Sequence, residues 1–391
     1  MSDYIPFVNS AGDQSTASSI YASANFFRIG LQSPEKTVSH FPTGSRLWLD
    51  ASVDALHCWP MANNQSYRDY FANFATAAKI SDPTFQGRPD KKIVAEFVNA
   101  VLDSALNRVA NPEWVSVPQL PYLDGALRNK VNRLLADSAQ TWRAKSSYRG
   151  KFILPIILTN QRQVNKKTER NSKIAQAVSC YESSGAAGIW VVDSSLNDQD
   201  GTGNFEQTRF PGIINFHQEL SAKITTSSAI IAGPYWALNL ILWARGLVHF
   251  PAIGKGYQYY IPGGRLMKGV VRVALGPLRR LAIWSSDLKI WIENSLSRIP
   301  ETDPAHHEFS TILRNFQVLS DEDQARLQVA RFYNDWFNKL QATAPQGRAL
   351  ALYQDFSSAY VLGKSLKDLP SRGNQARSAS RLAKQFMGNC L

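Results

Sequence analysis

Short, continuous apolar runs separated by stretches of helical periodicity constrain this chain more than any other feature. FILPIIL, within Phe152 to Leu158, and GIWVV, within Gly188 to Asp193, are apolar at successive positions instead of alternating. A strand reads this way when both of its faces are covered, the condition of a parallel sheet flanked by helices. Further runs of strand length are Phe26 to Leu31, Arg46 to Asp50, Trp114 to Leu120, Ala229 to Gly233, Leu247 to Phe250 and Leu281 to Trp284, eight in all.

The intervening stretches carry the helical period. Ile93, Phe97, Val101, Ala105 and Val109 recur every four residues, with Val94, Val98, Leu102 and Leu106 widening the stripe. Leu127, Val131, Leu134 and Leu135 line a second helix whose other side carries Arg128, Lys130 and Arg133. Ile174, Ala177, Val178 and Tyr181 line a third, which should stop before Gly185. Strand and helix in repeated alternation predict an α/β fold built on a parallel sheet. Eight runs favour a (β/α)8-barrel-like sheet, and an open doubly wound sheet is the alternative.

A barrel of this kind takes about 250 residues, so a chain of 391 leaves room for an appendage. Residues 1–24 are rich in small polar residues and read as a loose arm, 25–285 as the barrel-like domain, and 286–391 as a helical region. Within the last, Leu288, Ile292, Leu296 and Ile299 form one stripe, and Phe309, Ile312, Leu313 and Phe316 a second. Val329, Tyr333, Trp336, Phe337 and Leu340 form a third behind the acidic start Asp321, Glu322 and Asp323. After Pro370 the chain is small and basic, a frayed helix or a cationic tail.

Charge narrows the class of partner. The formal net charge is +12, and no acidic residue occurs from Leu220 to Ser286, where Lys223, Arg245, Lys255, Arg265, Lys268, Arg272, Arg279 and Arg280 lie. A second tract, Arg128 to Lys173, holds twelve cations against Asp137 and Glu169. Clustering of this kind suits phosphates or nucleic acid. Three widely spaced cysteines, Cys58, Cys180 and Cys390, fit neither a disulfide framework nor a CxxC metal site. The N-terminal residues lack the basic start and apolar core of a signal peptide, and the apolar stretch Ala229 to Ala244 is too short to span a bilayer. A reducing, cytoplasmic setting without a membrane partner is the expectation.

In a barrel, chemistry sits where strands end. RLWLD places Asp50 at such an edge, and WVVDSSLND places Asp193 there with Ser194 and Asp198. Two carboxylates on different strand ends, if the barrel mouth brings them within reach, can act as acid and base, or as nucleophile and base; equally, each can cap the turn that follows. ILTNQRQ offers Asn160 and Arg162, and VPQLPYLDG offers Gln119, held off the sheet by Pro118 and Pro121. PAIGKGYQYYIPGGR, residues 251–265, has Gly254, Gly256, Gly263 and Gly264 for close approach of backbone N–H groups to an anion. Lys255 and Arg265 supply charge there, and Tyr257 supplies a ring for a base or sugar. This is neither a GxxxxGK[ST] loop nor a GxGxxG fingerprint. No histidine spacing suggests a metal, and His217 shares a helix face with Ile213, Leu220 and Ile224 as a core residue would. Ser194 and Ser195 lack a GxSxG elbow.

No motif assigns a family. In layout alone, a barrel with strand-end aspartates, glycine-rich late loops and a basic surface, the chain resembles base-modifying barrels such as the tRNA-guanine transglycosylases. It departs from their Cys-rich zinc cluster, having only Cys390 near the C-terminus, and no residue is carried over. The first functional reading is therefore a barrel enzyme, transferase or hydrolase, acting on a nucleotide or nucleic acid with Asp50 and Asp193 as its carboxylates. A nucleic-acid-binding protein without catalysis is the second reading, and a scaffold that docks a protein partner on its C-terminal helices the third. The sequence names no cofactor.

Overall fold

The structure, a computed structural model, describes residues 4–8, 26–32, 41, 44–58, 65–109, 112–122, 126–194, 196, 204–224, 228–254, 271–370 and 377–391, without the side chains of 8, 57–58, 126–129 and 204–208. Eight parallel strands close into a barrel in sequence order. They are β1 (Ile5–Val8), β2 (Phe26–Gly30), β3 (Arg46–Asp50), β4 (Trp114–Ser116), β5 (Lys151–Leu158), β6 (Gly188–Asp193), β7 (Ala229–Ala232) and β8 (Phe250–Ile253). Closure is made by β8 on β1, with Ile5 opposite Ala252 and Pro6 opposite Ile253. The barrel expected from the alternation is what the chain forms, and the open sheet is excluded.

The count of eight holds with one member exchanged. The run at Leu281 to Trp284 belongs to β10 (Arg280–Ile283), which pairs antiparallel with β9 (Arg272–Leu275) in a two-stranded hairpin outside the barrel. Its place is taken by β1, inside the segment read as a loose arm. Four residues among Ser, Asn and Gly carry too little pattern to be seen, and Ile5–Val8 is a strand because β2 and β8 flank it. The run at Leu247 to Phe250 is shifted: β8 begins where that run ends.

Side chains alternate across each strand, and ring contacts fix which face is the lumen. Phe7, Trp48 and Trp190, from β1, β3 and β6, meet edge to face with centroids 5.4–5.5 Å apart. Their indoles are anchored, Trp48 Nε1 donating to Ser116 Oγ at 2.8 Å and Trp190 Nε1 to the Gly233 carbonyl at 2.6 Å. Arg28 and Asp50 share the parity of these inward residues. Asp193, three positions beyond Trp190, points outward to the helices.

Outside the sheet run α1 (Gln65–Ala72), α2 (Ala77–Ser81), α3 (Pro83–Gly87) and α4 (Lys91–Arg108) after β3, then α5 (Ala126–Lys145) after β4. Next come α6 (Arg162–Asn165) and α7 (Lys167–Ser184) after β5, α8 (Asn204–Ser221) after β6 and α9 (Leu238–Ala244) after β7. Helix α4 starts on Asp90, whose carboxylate accepts from Lys92 N and Ile93 N, the usual N-cap geometry. Helix α7 stops at Gly185 in the left-handed region, φ 60°, as its sequence position foretold. The apolar stretch from Ala229 divides into β7 and α9 at Gly233-Pro234, and no described helix is long and apolar enough to cross a membrane.

The C-terminal region consists of α10 (Ser286–Leu296), α11 (Pro304–Arg314), α12 (Glu322–Gln341), α13 (Arg348–Ser365) and α14 (Arg381–Met387). It has two attachments. Val273, Leu275, Leu278, Leu288, Trp291, Ile292 and Phe309 form a small core that joins the hairpin to α10 and α11. Helices α12 to α14 instead belong to the main core with the barrel. Tyr4, just before β1, donates its hydroxyl to Asn334 at 2.7 Å and meets Phe337 at 5.0 Å. Trp236 stacks on Phe332 at 5.9 Å, and Phe210 of α8 on Phe386 of α14 at 5.1 Å. Each fully buried aromatic side chain of this kind contributes about 2–3 kcal/mol. The aromatic residues of α12 are thus buried: Tyr333, Trp336 and Phe337 are at most 2% exposed.

Candidate active site at the mouth of the barrel

At the C-terminal ends of β2 and β3 a polar network faces the lumen. Arg28 Nη2 pairs with Asp50 Oδ2, both side chains 2% exposed. An arginine in the middle of FFRIG is buried among aromatics and needs a counter-charge, which the adjacent strand supplies two positions up on the same face. The guanidinium also lies over the Phe7 ring at 4.6 Å and the Trp190 ring at 5.7 Å, a cation held on aromatic faces. Asp50 Oδ1 accepts from Ser52 N at 3.2 Å, and Ser52 Oγ donates to Gln32 Oε1 at 2.9 Å while lying 3.4 Å from Asp50 Oδ2. Gln32 Nε2 donates in turn to Tyr67 Oη at 3.0 Å, and burial raises the Tyr67 hydroxyl above its ordinary pKa, with the Asp54 charge adding to the shift. Ser52 holds φ 50°, a left-handed backbone that costs a non-glycine residue about 1 kcal/mol and recurs at functional turns.

Asp193 is placed differently. Arg209 of α8 grips it at two points, Nε to Oδ2 at 2.7 Å and Nη2 to Oδ1, with side-chain exposures of 1% and 0%. The pair joins β6 to its covering helix. Asp50 and Asp193 therefore lie on opposite faces of the sheet and are not brought together as an acid and base pair.

The remaining positions divide in the same way. Gln119 is buried, donating to the Asn132 carbonyl at 3.0 Å, and Asn132 of α5 brackets Leu120 through its N–H and its C=O at 2.9 and 3.0 Å. The two prolines lift Gln119 off the ladder and Asn132 satisfies the exposed backbone, so this segment is fastened to the wall. Asn160 Oδ1 accepts from Arg162 N at 2.9 Å and caps α6, while Arg162 stands exposed at the rim. Gly254 follows β8, where a Cβ would meet Pro234 Cγ at 3.3 Å and Phe7 Cβ at 3.5 Å. Lys255, Gly256, Tyr257, Gly263, Gly264 and Arg265, with Asp198, lie outside the described residues. Gly254 still relates the two halves of the sequence reading, since a side chain there would meet Phe7, the residue whose ring carries Arg28.

Three described arginines of the acid-free tract turn away from the mouth. Arg245 Nη1 donates to the Asn389 carbonyl at 3.0 Å, Arg280 Nη1 to the Ser378 carbonyl at 2.9 Å, and Arg279 pairs with Asp355 at 3.0 Å. These cations fasten the C-terminal helices. His217 is fully buried, as its helix face implied, and no group of side chains able to hold a metal occurs among the described residues. Arg28, Gln32, Ser52 and Tyr67 were not singled out from sequence. The cue was there in a cation set within an otherwise apolar strand.

Fold and site together define a closed parallel (β/α)8 barrel with a charged cluster at its C-terminal mouth. No protein-family model and no curated protein matches the sequence. Among solved structures the chain is similar to a probable tagatose 6 phosphate kinase from Sinorhizobium meliloti 1021, at 12% identity and a TM-score of 0.36 over 98% of this chain and 97% of that one. A likeness of that size carries no functional argument.

Proposed function

We propose that the chain is a barrel enzyme that takes a phosphate-bearing substrate, a nucleotide or nucleic acid, at the C-terminal mouth, with Asp50 as its general base. The observation that carries this reading is the Arg28, Asp50 and Ser52 cluster facing the lumen at the strand ends, where barrels of this class do their chemistry. Arg28 pairs with Asp50 and brings positive charge to the same point. Ser52, within 3.4 Å of the carboxylate, is the hydroxyl through which a proton would pass. Gly254 leads from the lumen into the segment proposed to cradle phosphate, Lys255 to Arg265. Asp193 is assigned to the wall.

Calorimetric titration with nucleoside mono-, di- and triphosphates tests the first half: the Lys255→Ala, Arg265→Ala double variant should lose most of the affinity, and unchanged affinity for every phosphorylated ligand rejects the phosphate assignment. For the second half, products formed from a nucleotide and oligonucleotide mixture are followed by mass spectrometry. Asp50→Asn should bind and fail to turn over; turnover at the wild-type rate removes Asp50 as base.

A further inference from the structure

A second feature sits outside the lumen on the same rim. The α3 to α4 junction and the first turns of α5 enclose an open cleft of about 530 Å³ lined by Gly87, Arg88, Pro89, Lys130, Arg133 and Leu134. Three of these six are cations, all of them exposed, and no carboxylate lines the cleft. Arg133 is held in place by Asp137 Oδ1 at 3.1 Å and by the Ser179 carbonyl at 3.1 Å. Arg88 and Lys130 make no ion pair among the described residues. The nearest acids in sequence to Arg88 are occupied elsewhere, Asp82 capping α3 through Thr84 N and Asp90 capping α4 through Lys92 N.

The cleft does not stand alone. Each barrel helix begins at the C-terminal end of the strand before it, so the first turns of α4, α5, α6 and α7 share the rim that surrounds the mouth. Exposed cations recur there: Lys91 and Lys92 open α4, Arg162 opens α6, and Lys166 and Lys167 open α7. Lys166 has Glu169 at 3.6 Å, and Lys167 lies in the field of Glu219. The positive ends of these helix dipoles add to the same field. Acids stand among these cations, Asp90 between Arg88 and Lys91 and Glu169 beside Lys166, but none lines the cleft itself.

We infer that this rim cleft is a backbone-binding track for a polynucleotide, which makes the substrate at the mouth a residue within a strand and not a free nucleotide. This rests on the reading of the mouth as a phosphate-bearing site. A free nucleotide has no use for a row of cations outside the lumen, whereas a strand passing over the rim presents one phosphate after another to it.

The test is fluorescence anisotropy with a labelled single-stranded oligonucleotide of about twelve nucleotides, the length of one such track, across a salt series, beside titration with AMP. Reversing Arg88→Glu and Lys130→Glu together should weaken oligonucleotide binding at least about 10-fold and reduce the salt slope by about 1.4, that is about 0.7 for each phosphate no longer neutralised. AMP binding should be unaffected, and thermal melting checks that the variant is folded. Wild-type protein that ignores the oligonucleotide, or a folded double variant with unchanged affinity and slope, overturns the track. Binding of polyglutamate in preference to the oligonucleotide overturns it as well and assigns the cleft to an acidic protein segment. Oligonucleotide binding that depends on Arg88 and Lys130 but is indifferent to Lys255→Ala with Arg265→Ala keeps the track and removes the reading of the mouth as a phosphate site.

Discussion

Arg209 holds Asp193 by a two-point ion pair that pins α8 to the outer face of β6, with both side chains out of water. Removing one partner of such a pair strands the other charge in the interior, whereas replacing both with apolar residues removes the charge altogether. Arg209→Met alone should therefore cost about 3–5 kcal/mol in urea unfolding, and adding Asp193→Leu should restore most of it. A double variant that is folded and stable yet loses the turnover proposed for the mouth would return Asp193 to the chemistry.

His217 gives the fold a defined acid sensitivity. Complete burial pushes its imidazole down to about 3, against about 6.5 in an unfolded chain. Between these values the unfolded state binds a proton that the native state refuses, so stability rises with pH across that window. Above pH 6.5 the contribution is fully present. Below it, stability should fall by up to about 1.4 kcal/mol per pH unit until pH 3 is approached. Denaturant unfolding at a series of pH values, compared with His217→Leu, isolates this slope, and an identical slope in the variant would place the acid sensitivity elsewhere.

What was legible in the sequence follows from how each element is stabilised. β5 and β6 carry their own evidence, because a strand covered on both faces must be apolar at every position. β1 does not, since Ile5–Val8 is fixed by neighbours more than twenty residues away in one direction and over two hundred in the other. Helix α13 escaped for a related reason: it buries a sparse stripe of Leu352, Phe356, Ala359 and Gly363. Gly363 packs where a Cβ would stand 2.8 Å from the Ser380 backbone, so part of that stripe is an absence of side chain.

The site divides along a different line. Asp50 and Asp193 occupy equivalent strand ends, and sequence position alone treats them alike. Strand parity separates them, and parity needs the lumen to be identified first, here by the meeting of Phe7, Trp48 and Trp190. Part of the clustered charge has a structural use: Arg245, Arg279 and Arg280 of the acid-free tract answer carbonyls and Asp355 from distant helices, partners that no local window contains.

Arg279 shows how such a residue works. It turns between β9 and β10 at φ 51°, pairs with Asp355 at 3.0 Å and lies over the Trp336 ring at 5.0 Å. Asp355 accepts also from Trp336 Nε1 at 2.8 Å. Arg279→Gly keeps the left-handed turn but removes the ion pair and the cation over the ring, for a cost of roughly 1–2 kcal/mol. Arg279→Ala removes the same two interactions and keeps the strain, and should melt lower by about 1 kcal/mol more. Equal melting of the two variants would show that the turn stores no strain.

Deleting residues 286–391 distinguishes a wall from an attachment. β8 leads into the β9 and β10 hairpin, and α12 lies against Tyr4 at the entrance to β1 and against Trp236 and Trp243 beside α9. Without α12 to α14, Tyr4, Phe210, Trp236 and Trp243, each at most 5% exposed in the whole chain, lose much of their cover. Closure of the barrel through Ile5 and Pro6 would then be open to water on its outer face. The truncated chain should aggregate on expression, or bind a hydrophobic dye and lose its near-ultraviolet circular dichroism. A scaffold whose helices serve only to dock a partner predicts the reverse, a soluble truncated barrel with native spectra that lacks nothing but the complex. Recovery of such a barrel would mean that the packing of Tyr4 and Trp236 on α12 decorates the fold without supporting it.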